Sequence, residues 1–364
     1  MTTYLLAGGG TAGHVNPLLA VADRLREREP AATILVLGTK EGLEARLVPA
    51  RGYELITIAR LPFPRRPNAA ALRFPAAFRR LVGRTRRIIH DRAVDVVVGV
   101  GGYAAAPAYL AARAERVPFV IHEANAIPGL ANRLGARFTR YVGVVFANTA
   151  IRHARVVGMP LRPEIERLDR PSARAEAYRF FGLSPDRSVL LVTGGSTGAR
   201  SINRTISHSV PAILGAGWQV LHIVGARAEV SDLALPGYVY LEYCDRMELA
   251  IAVADLAVSR AGSVTISEFS AIGVPSIYVP YPVGNGEQRF NAVDVVAAGG
   301  GVLVLDADFT PAWVTGSLVP LLQDRAAIAE MAVRAATVGM LDGTDRMVAL
   351  TEQALADSTP RVDG

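Results

Sequence analysis

The sequence predicts an α/β protein of two similar domains, each a parallel β-sheet covered by helices. Short apolar runs alternate with helical patterns, as in parallel sheets joined by crossover helices. The chain has 364 residues, 51% of them hydrophobic and 20% charged, which is enough to build two cores. A glycine-rich turn between an apolar run and a helical pattern occurs twice, at Gly8–Gly13 and at Gly194–Gly198. We therefore expect two Rossmann-like domains that face each other across a cleft.

The first half supplies the clearest alternation of elements. Strands are predicted at 4–7, 33–38, 53–58, 95–100, 118–122 and 141–146, and helices at 17–28, 71–90, 104–113 and 129–136. A passage rich in proline and arginine, 158–171, is interpreted as the linker. The first domain is accordingly placed at residues 1–158.

The second half repeats the pattern over residues 159–340. Strands are predicted at 188–193, 219–224, 239–242, 256–259, 276–279 and 302–305. The C-terminal segment 341–357, with a helix at about 344–356, is a candidate to pack back on the first domain.

The composition of the chain limits the kinds of molecule that it is expected to bind. A net charge of +6 and a pI of about 9.7 favour an anionic partner: nucleic acid, a membrane surface or a phosphorylated substrate. The single cysteine, Cys244, excludes an intrachain disulfide and fits a reducing compartment. No secretory signal is predicted, and the longest uncharged runs, 205–226 and 269–286, are interrupted by proline and glycine, which argues against a membrane span.

The first glycine loop ends at a candidate catalytic residue. Gly8–Gly13 lets the backbone approach an anion, although a glycine turn without any ligand is the simpler alternative. His14 opens the next helix, where the positive helix end disfavours the imidazolium, so a neutral ring could accept a proton from a hydroxyl. The alternative is that His14 only binds phosphate or caps the loop.

Two further polar sets follow predicted strands of the first half. Gly101 and Gly102 precede the hydroxyl of Tyr103, and His122–Asn125 places three polar side chains after an apolar strand. Ligands of α/β proteins bind at the carboxyl ends of parallel strands, so these sets are expected to share one edge. Each set alone could be ordinary turn chemistry.

The segment Arg60–Arg92 carries ten arginines and one acid, Asp91. Its helical pattern predicts a basic amphipathic helix for an anionic membrane. The membrane-facing candidates are Arg73, Phe74, Phe78, Arg80, Leu81, Val82 and Arg84. The alternative is a solvated helix whose apolar stripe packs on its own sheet, and nucleic acid is disfavoured because no recognition motif accompanies the charge.

The stretch Asp255–Ala292 predicts a pocket for a nucleotide sugar. A small-residue turn, Ala261–Ser263, opens a helix whose free N–H groups attract phosphate, and Glu268 on that helix can hold a ribose diol. A later loop delivers Glu287, Gln288 and Asn291, which suit sugar hydroxyls. Ser196 in the second glycine loop offers a hydroxyl to a phosphate, and Arg162 could reach a nucleotide or form an interdomain ion pair.

Taken in order, these motifs resemble the MurG family, bacterial transferases that move N-acetylglucosamine from UDP onto the lipid-linked muramyl-pentapeptide of peptidoglycan precursor. The motifs that carry the resemblance are Gly8–His14, Gly101–Tyr103, His122–Asn125, Gly158–Arg162, Gly194–Ala199, Ser259–Glu268 and Glu287–Ala292. The match extends over nearly the whole chain.

The resemblance implies a GT-B fold and an inverting transfer to the C4 hydroxyl of the muramyl residue, with His14 either as the base or as the residue that orients the acceptor. It implies that the acceptor diphosphate is bound by Gly9, Gly10, Gly101, Gly102 and Tyr103. It implies that donor contacts come from Thr11, Ala12, Gly13, Asn125, Arg162, Ser196, Cys244, Ser263, Val264, Thr265, Ile266, Ser267, Glu268 and Gln288. Cys244 would act through its backbone amide.

The implied partners are UDP-N-acetylglucosamine, the lipid acceptor (lipid I) and an anionic membrane surface, at the cytoplasmic face of the cell membrane. No metal or other cofactor is implied as a requirement, with stimulation by Mg²⁺ left open, and the oligomeric state is not specified. Three positions depart from the family pattern, Met159, Thr197 and Glu287, and the departure at Glu287 leaves the role of that side chain open. The rival interpretations are another GT-B enzyme, such as a UDP-N-acetylglucosamine epimerase or a transferase with a soluble acceptor, and a non-catalytic membrane scaffold.

Overall fold

The computed structural model describes residues 1–64, 68–195, 198–226, 228–283 and 285–358. The chain divides into two compact units, Met1–Arg162 together with residues from Asp342 onward, and Pro163–Leu341. Residues 159–162 therefore belong to the first unit, whereas the sequence-based boundary precedes them. Met159 and Leu161 are each only 1% exposed, so this part of the predicted linker is packed rather than extended.

In its described residues the first unit has one seven-stranded sheet of order β3-β2-β1-β4-β5-β6-β7. Neighbouring strands are parallel throughout. The strands are β1 Thr3–Ala7, β2 Thr33–Gly38, β3 Glu54–Thr57, β4 Val96–Gly99, β5 Phe119–Glu123, β6 Val142–Val144 and β7 Ala154–Val156. The helices are α1 Ala12–Arg28, α2 Glu44–Ala50, α3 Ala69–Asp91, α4 Ala105–Glu115, α5 Leu130–Gly135 and, from the C-terminus, α16 Gly343–Ala356.

Helices cover both faces of this sheet because its strands are apolar on both sides. Leu6 of β1 packs with Val15 of α1 and Met347 of α16 in one core cluster. Leu5 of the same strand packs with Tyr109 of α4 and Leu81 of α3 in the other. Side chains of successive strand residues point to opposite faces, so adjacent leucines belong to different cores.

The C-terminal helix α16 packs on the first unit, as the sequence suggested it could. Its residues Met347, Val348 and Leu350 are buried in the α1 side of the core. At the surface, Arg28 of α1 pairs with Asp345 at 2.7 Å and with Glu352 at 3.0 Å. The chain thus returns to its starting domain after completing the second one.

The described part of the second unit has a six-stranded sheet of order β10-β9-β8-β11-β12-β13, again parallel. The strands are β8 Val189–Thr193, β9 Gln219–Ile223, β10 Tyr238–Leu241, β11 Leu256–Ser259, β12 Ser276–Tyr278 and β13 Gly301–Leu303. The helices are α6 Pro163–Glu166, α7 Arg170–Phe181, α8 Arg200–Gly215, α9 Met247–Val253, α10 Ser263–Ile272, α11 Glu287–Asn291, α12 Val293–Ala297, α13 Pro311–Trp313, α14 Val319–Gln323 and α15 Arg325–Thr337, with a π-helical turn Val314–Leu318 between α13 and α14.

The structure contains elements that the sequence did not predict. Strand β7 was missed because all three of its residues are exposed, so it has no apolar run. Helix α2 was missed because it has only seven residues and contains Pro49. Helix α1 begins at Ala12 rather than near Pro17. Pro17 lies in its second turn, where it lacks an N–H for the Gly13 carbonyl but does not end the helix.

No helix in the described residues is both long enough and apolar enough to cross a bilayer.

Candidate active site

The first unit has a polar site at the point where its strand order reverses. Strands β1 and β4 are adjacent, and the chain winds outward from them in both directions. Such a switch point leaves a crevice at the carboxyl ends of the two strands. The loop after β1 begins at Gly8 and the loop after β4 contains Gly101, so the two predicted glycine loops flank this crevice.

These two loops approach each other so closely that glycine is required. Gly102 has a φ of 80°, and a Cβ atom there would lie 2.7 Å from the carbonyl oxygen of Gly9. Any larger residue would separate the loops or distort the backbone. The predicted acceptor residues Gly9 and Gly102 are therefore direct neighbours.

His14, the third residue of α1, lies between the same loops. Its Nδ1 is 3.3 Å from the Thr11 hydroxyl oxygen, and its Nε2 would be 3.2 Å from a Cβ placed on Gly101. Burial lowers the pKa of His14 below its ordinary value, against an opposing effect of Glu44. The ring is thus neutral at pH 7, with one nitrogen near Thr11 and the other facing the second glycine loop.

Glu44 is a site residue that the sequence analysis missed. Its carboxylate, 1% exposed, accepts hydrogen bonds from the N–H groups of Gly10 at 2.7 Å and Thr39 at 2.9 Å. Burial raises the pKa of this carboxyl, but these hydrogen bonds outweigh burial and lower the pKa overall. Its position shortly after strand β2, in a segment with Gly42, was an available signal.

The contact with Glu44 changes the role of Gly10. The sequence placed Gly10 among residues that offer N–H groups to the acceptor diphosphate. In the structure the Gly10 N–H already donates to Glu44, so it stabilises the loop instead of remaining open for an anion.

The set His122–Asn125 points largely into the protein. His122 is fully buried, its Nε2 is 3.0 Å from the Gly158 carbonyl oxygen, and burial lowers its pKa to about 4. The Glu123 carboxylate accepts from the N–H groups of Asn125 at 3.0 Å and Gly129 at 2.9 Å. The side chains of His122 and Glu123 therefore hold the loop in place. Asn125 is only partly buried, so it is the residue of this set that can face a ligand.

Asn132, also missed by the sequence, completes this network. Its side-chain nitrogen donates to Glu123 at 2.9 Å and to the His122 carbonyl at 3.1 Å, while its oxygen accepts from Tyr109 at 2.7 Å. All four polar groups are buried, so the network rigidifies the β5–α5 loop.

Tyr103 remains accessible beside the second glycine loop, with 37% of its surface exposed. Its hydroxyl accepts from Arg60 at 3.3 Å, and the Arg60 guanidinium lies 4.8 Å from the ring centroid. Both groups can rearrange toward a ligand because neither is enclosed.

Helix α3 exposes only part of its predicted membrane face. Leu81 is 7% exposed and belongs to the core, with Val82 packed against the same cluster. The prediction for Leu81 is wrong, because the second half of α3 uses its apolar stripe to cover the sheet, whereas Val82 is only partly buried. The apolar surface outside the core consists of the exposed Phe63 and Leu72 and the partly buried Phe74 and Phe78. The ring centroids are 5.3 Å apart for Phe63 and Phe74 and 5.5 Å apart for Phe74 and Phe78. We call this surface the α3 patch.

The three arginines predicted to face the membrane lie at the surface of α3. Arg73, Arg80 and Arg84 are all exposed along α3. They lie on the same helix as Phe74 and Phe78, so positive charge borders the α3 patch.

The second unit repeats the switch-point arrangement at β8 and β11. An open pocket of about 900 Å³ lies there, within the usual size range for small-molecule sites. Gly194, Gly195 and Gly198 line it from the loop after β8, and Gly262 and Thr265 from the start of α10. The N-termini of α8 and α10 both open at this edge, which favours a phosphate group.

The predicted donor residues are distributed unequally around this pocket. Thr265 and Gln288 line it, and the Gln288 side-chain oxygen accepts from the Tyr281 N–H at 2.9 Å. Ile266 is 3% exposed and packs inward, so its side chain is not a ligand group. Val264 and Ser267 are partly buried on the same helix. Ser196 lies outside the described residues.

Three other predicted donor residues are buried. Ser263, Glu268 and Cys244 are between 6% and 8% exposed. Ser263 is the first residue of α10, and Glu268 follows on the same helix. The remaining predicted donor residues, Thr11, Ala12, Gly13, Asn125 and Arg162, belong to the first unit.

A polar cluster at the pocket wall was not predicted. Arg260 donates to the Ser201 hydroxyl at 2.9 Å and to the Val279 carbonyl at 3.1 Å, and it also pairs with Asp306. Ser201 in turn donates to Asp306 at 2.6 Å. The cluster ties the first turn of α8 to the loops after β11, β12 and β13, and Arg260 was visible in the sequence within the Asp255–Ala292 stretch.

Among the described residues no group of three or more His, Cys, Asp or Glu side chains is arranged to hold a metal ion.

Two parallel-sheet units, each with a site at its switch point, are the architecture of the GT-B fold class. Residues 4–144 match the glycosyltransferase family 28 N-terminal domain, and residues 189–347 match the glycosyltransferase family 28 C-terminal domain. The chain belongs to glycosyltransferase family 28.

Named relatives are similar over almost the full length. A protein of Leifsonia xyli subsp. xyli is 67% identical over 98% of this chain and 99% of its own, and one of Streptomyces coelicolor is 48% identical over 97% and 98%. Both are named UDP-N-acetylglucosamine--N-acetylmuramyl-(pentapeptide) pyrophosphoryl-undecaprenol N-acetylglucosamine transferase. The crystal structure of Acinetobacter baumannii MurG superposes with a TM-score of 0.78 at 26% identity, covering 97% of this chain and all of that one.

Proposed function

We propose that this enzyme transfers N-acetylglucosamine from UDP to the C4 hydroxyl of an undecaprenyl-pyrophosphoryl-muramyl-pentapeptide, the step from lipid I to lipid II in peptidoglycan synthesis. The observation that carries the proposal is the 67% identity, over 98% of the chain, to a relative named for this transfer. The two switch-point sites add a chemical reason, since one suits a nucleotide diphosphate and the other contains a neutral histidine.

The donor is assigned to the pocket of the second unit. The leaving diphosphate lies at the N-terminus of α10, where Ser263 and Thr265 are the first and third helical residues. Glu268 holds the ribose diol, Gln288 contacts the transferred sugar, and the backbone amide of Cys244 reads the uracil. Ser196 and Arg162 complete the nucleotide contacts.

The acceptor is assigned to the first unit, with its diphosphate against the loops of Gly9 and Gly102. The C4 hydroxyl attacks the anomeric carbon, the bond from that carbon to UDP breaks, and His14 takes the hydroxyl proton. Attack opposite the leaving group inverts the α-linked donor to a β-1,4 product. Thr11, Ala12, Gly13 and Asn125 lie near the transferred sugar in this scheme.

No metal is required in this proposal. Two helix N-termini stabilise the charge that develops on the leaving UDP, a role that a divalent cation has in other transferases. Mg²⁺ added to the assay would act by neutralising free substrate and stimulate the rate without being essential.

The membrane is assigned to the α3 patch. Leu72 of α3 is 85% exposed and Phe63, which precedes α3 in the chain, is 62% exposed. Exposed arginines of α3 border this surface. Apolar insertion together with attraction to anionic lipids suits peripheral attachment at a cytoplasmic leaflet. This surface also favours a lipid-linked acceptor over a soluble one, and so argues against an epimerase or a transferase with a soluble acceptor.

The decisive experiment measures UDP release by the purified full-length chain from UDP-N-acetylglucosamine with and without the muramyl lipid. We expect release only with both substrates and a much lower rate with UDP-glucose or UDP-N-acetylgalactosamine. Release that does not depend on the muramyl lipid, or conversion of the donor to an epimer, would contradict the proposal.

A further inference from the structure

The second unit has another pocket, at the edge of its sheet opposite the donor site. Its volume is about 450 Å³. It lies where strands begin rather than end, since Ser188 and Asp255 both line it and directly precede β8 and β11. The donor pocket lies at the carboxyl ends of the same strands, so the two pockets are separated by the length of the sheet.

The walls of this pocket are largely apolar. Trp218, Pro171, Ile328, Ala329 and Ala332 contribute to them. The Trp218 ring is almost completely buried, and its indole N–H donates to the Leu322 carbonyl at 2.8 Å, so the ring is fixed in place. An apolar group could pack in this pocket without reorganising the wall.

Three arginines and one acid provide the charge of the lining. Arg174 is neutralised by Asp255, its Nη2 lying 3.0 Å from the carboxylate, and Asp255 is further held by the Val189 N–H at 2.9 Å. Arg170 instead donates to the backbone carbonyls of Ala252 at 3.2 Å, Gly273 at 3.4 Å and Ala254. It forms no ion pair within the part of the chain that the structure describes.

Arg325 is the second uncompensated cation. It is exposed at the first position of α15 and has neither a hydrogen bond nor an ion pair among the described residues. The neighbouring Asp324 carboxylate is engaged with the Ala327 N–H at 2.9 Å, as the helix cap. Helices α7 and α15 both begin at this pocket, with Arg170 and Arg325 as their first residues and with Asp169 and Asp324 as their N-caps.

We infer that this pocket binds a small free organic anion that has an apolar body, at a site distinct from the donor pocket. The anionic group pairs with Arg325 and Arg170, and the apolar body packs on the wall around Trp218. The volume fits a molecule of the size of a substituted bicyclic ring. Desolvation, followed by the proximity of Arg174, lowers the pKa of Arg170 against an opposing effect of Asp255.

The test uses 2-naphthalenesulfonate as the anion and 2-naphthalenesulfonamide as its neutral counterpart. The chain has two tryptophans, Trp218 and Trp313, so full-length protein labelled with 5-fluorotryptophan gives two ¹⁹F resonances, assigned with Trp313→Phe. We expect the sulfonate to shift the Trp218 resonance saturably, in the presence of saturating UDP as well as without it, and to leave Trp313 unchanged.

Three variants separate this site from general apolar binding. Arg325→Gln should weaken sulfonate binding about tenfold, the effect of losing one charge-assisted contact. Ala329→Phe, which fills the pocket, should abolish the Trp218 shift, and Arg179→Gln, at the far end of α7, should bind like the wild type. An unshifted Trp218 resonance, displacement by UDP, equal binding of the neutral sulfonamide, or wild-type affinity in Arg325→Gln would each overturn the inference.

Discussion

The Glu44 carboxylate accepts a hydrogen bond from the backbone N–H of Gly10 at 2.7 Å, and this contact holds the first glycine loop in place. A Cβ atom on Gly9 would lie 2.3 Å from the Glu44 carboxyl carbon, so the loop and the acid are in close contact. The acid is therefore part of the architecture on which His14 depends.

Replacing Glu44 by glutamine should destabilise the first unit by about 1–3 kcal/mol, because the amide cannot accept from both Gly10 and Thr39 without leaving a buried donor unpaired. Urea unfolding measures the loss, and acceptor KM should rise more than donor KM. Glu41→Gln, an exposed change in the same segment, is the control and should stay within about 0.5 kcal/mol of wild type. Equal stability of the two variants would show that the contact is unimportant.

His14→Ala should lower kcat by about 10²- to 10⁴-fold, the usual contribution of a general base, with unchanged affinity for UDP. The lowered pKa of His14 gives the sign of the pH effect. Activity requires the neutral ring, so kcat/KM should fall on acidification through an apparent pKa below 6.5. His208→Ala, at an exposed position of α8, is the control, and a His14→Ala enzyme with wild-type turnover would remove this residue from the mechanism.

Glu268→Gln should raise the Kd for UDP about 10- to 100-fold, because a charge-assisted hydrogen bond to the ribose is weakened. The specific readout is discrimination between UDP and 2′-deoxy-UDP, which the wild type should show and the variant should lose. Glu330→Gln on α15 is the matched surface control. If Glu268→Gln still discriminated between UDP and 2′-deoxy-UDP as the wild type does, another group would have to bind the ribose diol.

Two buried histidines should make stability depend on pH. Burial lowers the pKa values of His122 and His222 from 6.5 to about 4. The unfolded chain therefore binds protons that the folded chain does not, so stability is complete above pH 6.5 and is lost as the pH falls toward 4. At pH 5 the loss is about 2 kcal/mol for each histidine.

The two histidines lie in different units, which allows separate tests. His222→Gln should reduce the slope of unfolding free energy against pH between 6.5 and 5 for the second unit alone. His122→Gln should do so for the first unit. If the slope of unfolding free energy against pH were unchanged in both variants, carboxylates rather than these histidines would account for the loss of stability in acid.

Leu72→Ser should weaken binding to vesicles of phosphatidylcholine and phosphatidylglycerol about tenfold, since one fully inserted leucine contributes about 1.5–3 kcal/mol. Arg80→Gln should weaken binding to these vesicles but not to phosphatidylcholine alone. Co-sedimentation measures both. The control is Val333→Ser, because Val333 is a similarly exposed aliphatic residue of the second unit, at 68%, and it should have no effect.

The elements that the sequence predicted well are those with buried, continuous apolar runs. Strands β2 and β11 were predicted with their observed bounds, because a central parallel strand is apolar on both faces. The exposed edge strand β7 gives no such signal. On α3 the sequence showed one apolar stripe, but it could not show that Leu81 packs in the core while Leu72 stays in solvent.

The sequence by itself determined the α/β class, the two repeated units, the glycine loops and the family resemblance, because these depend on local periodicity and residue order. Only the tertiary structure decided which polar groups meet. Glu44 reaches Gly10 across 34 positions, and Arg260 meets Asp306 across 46. Such contacts depend on how crossover connections bring distant loops to one edge of a sheet, which spacing along the chain does not encode.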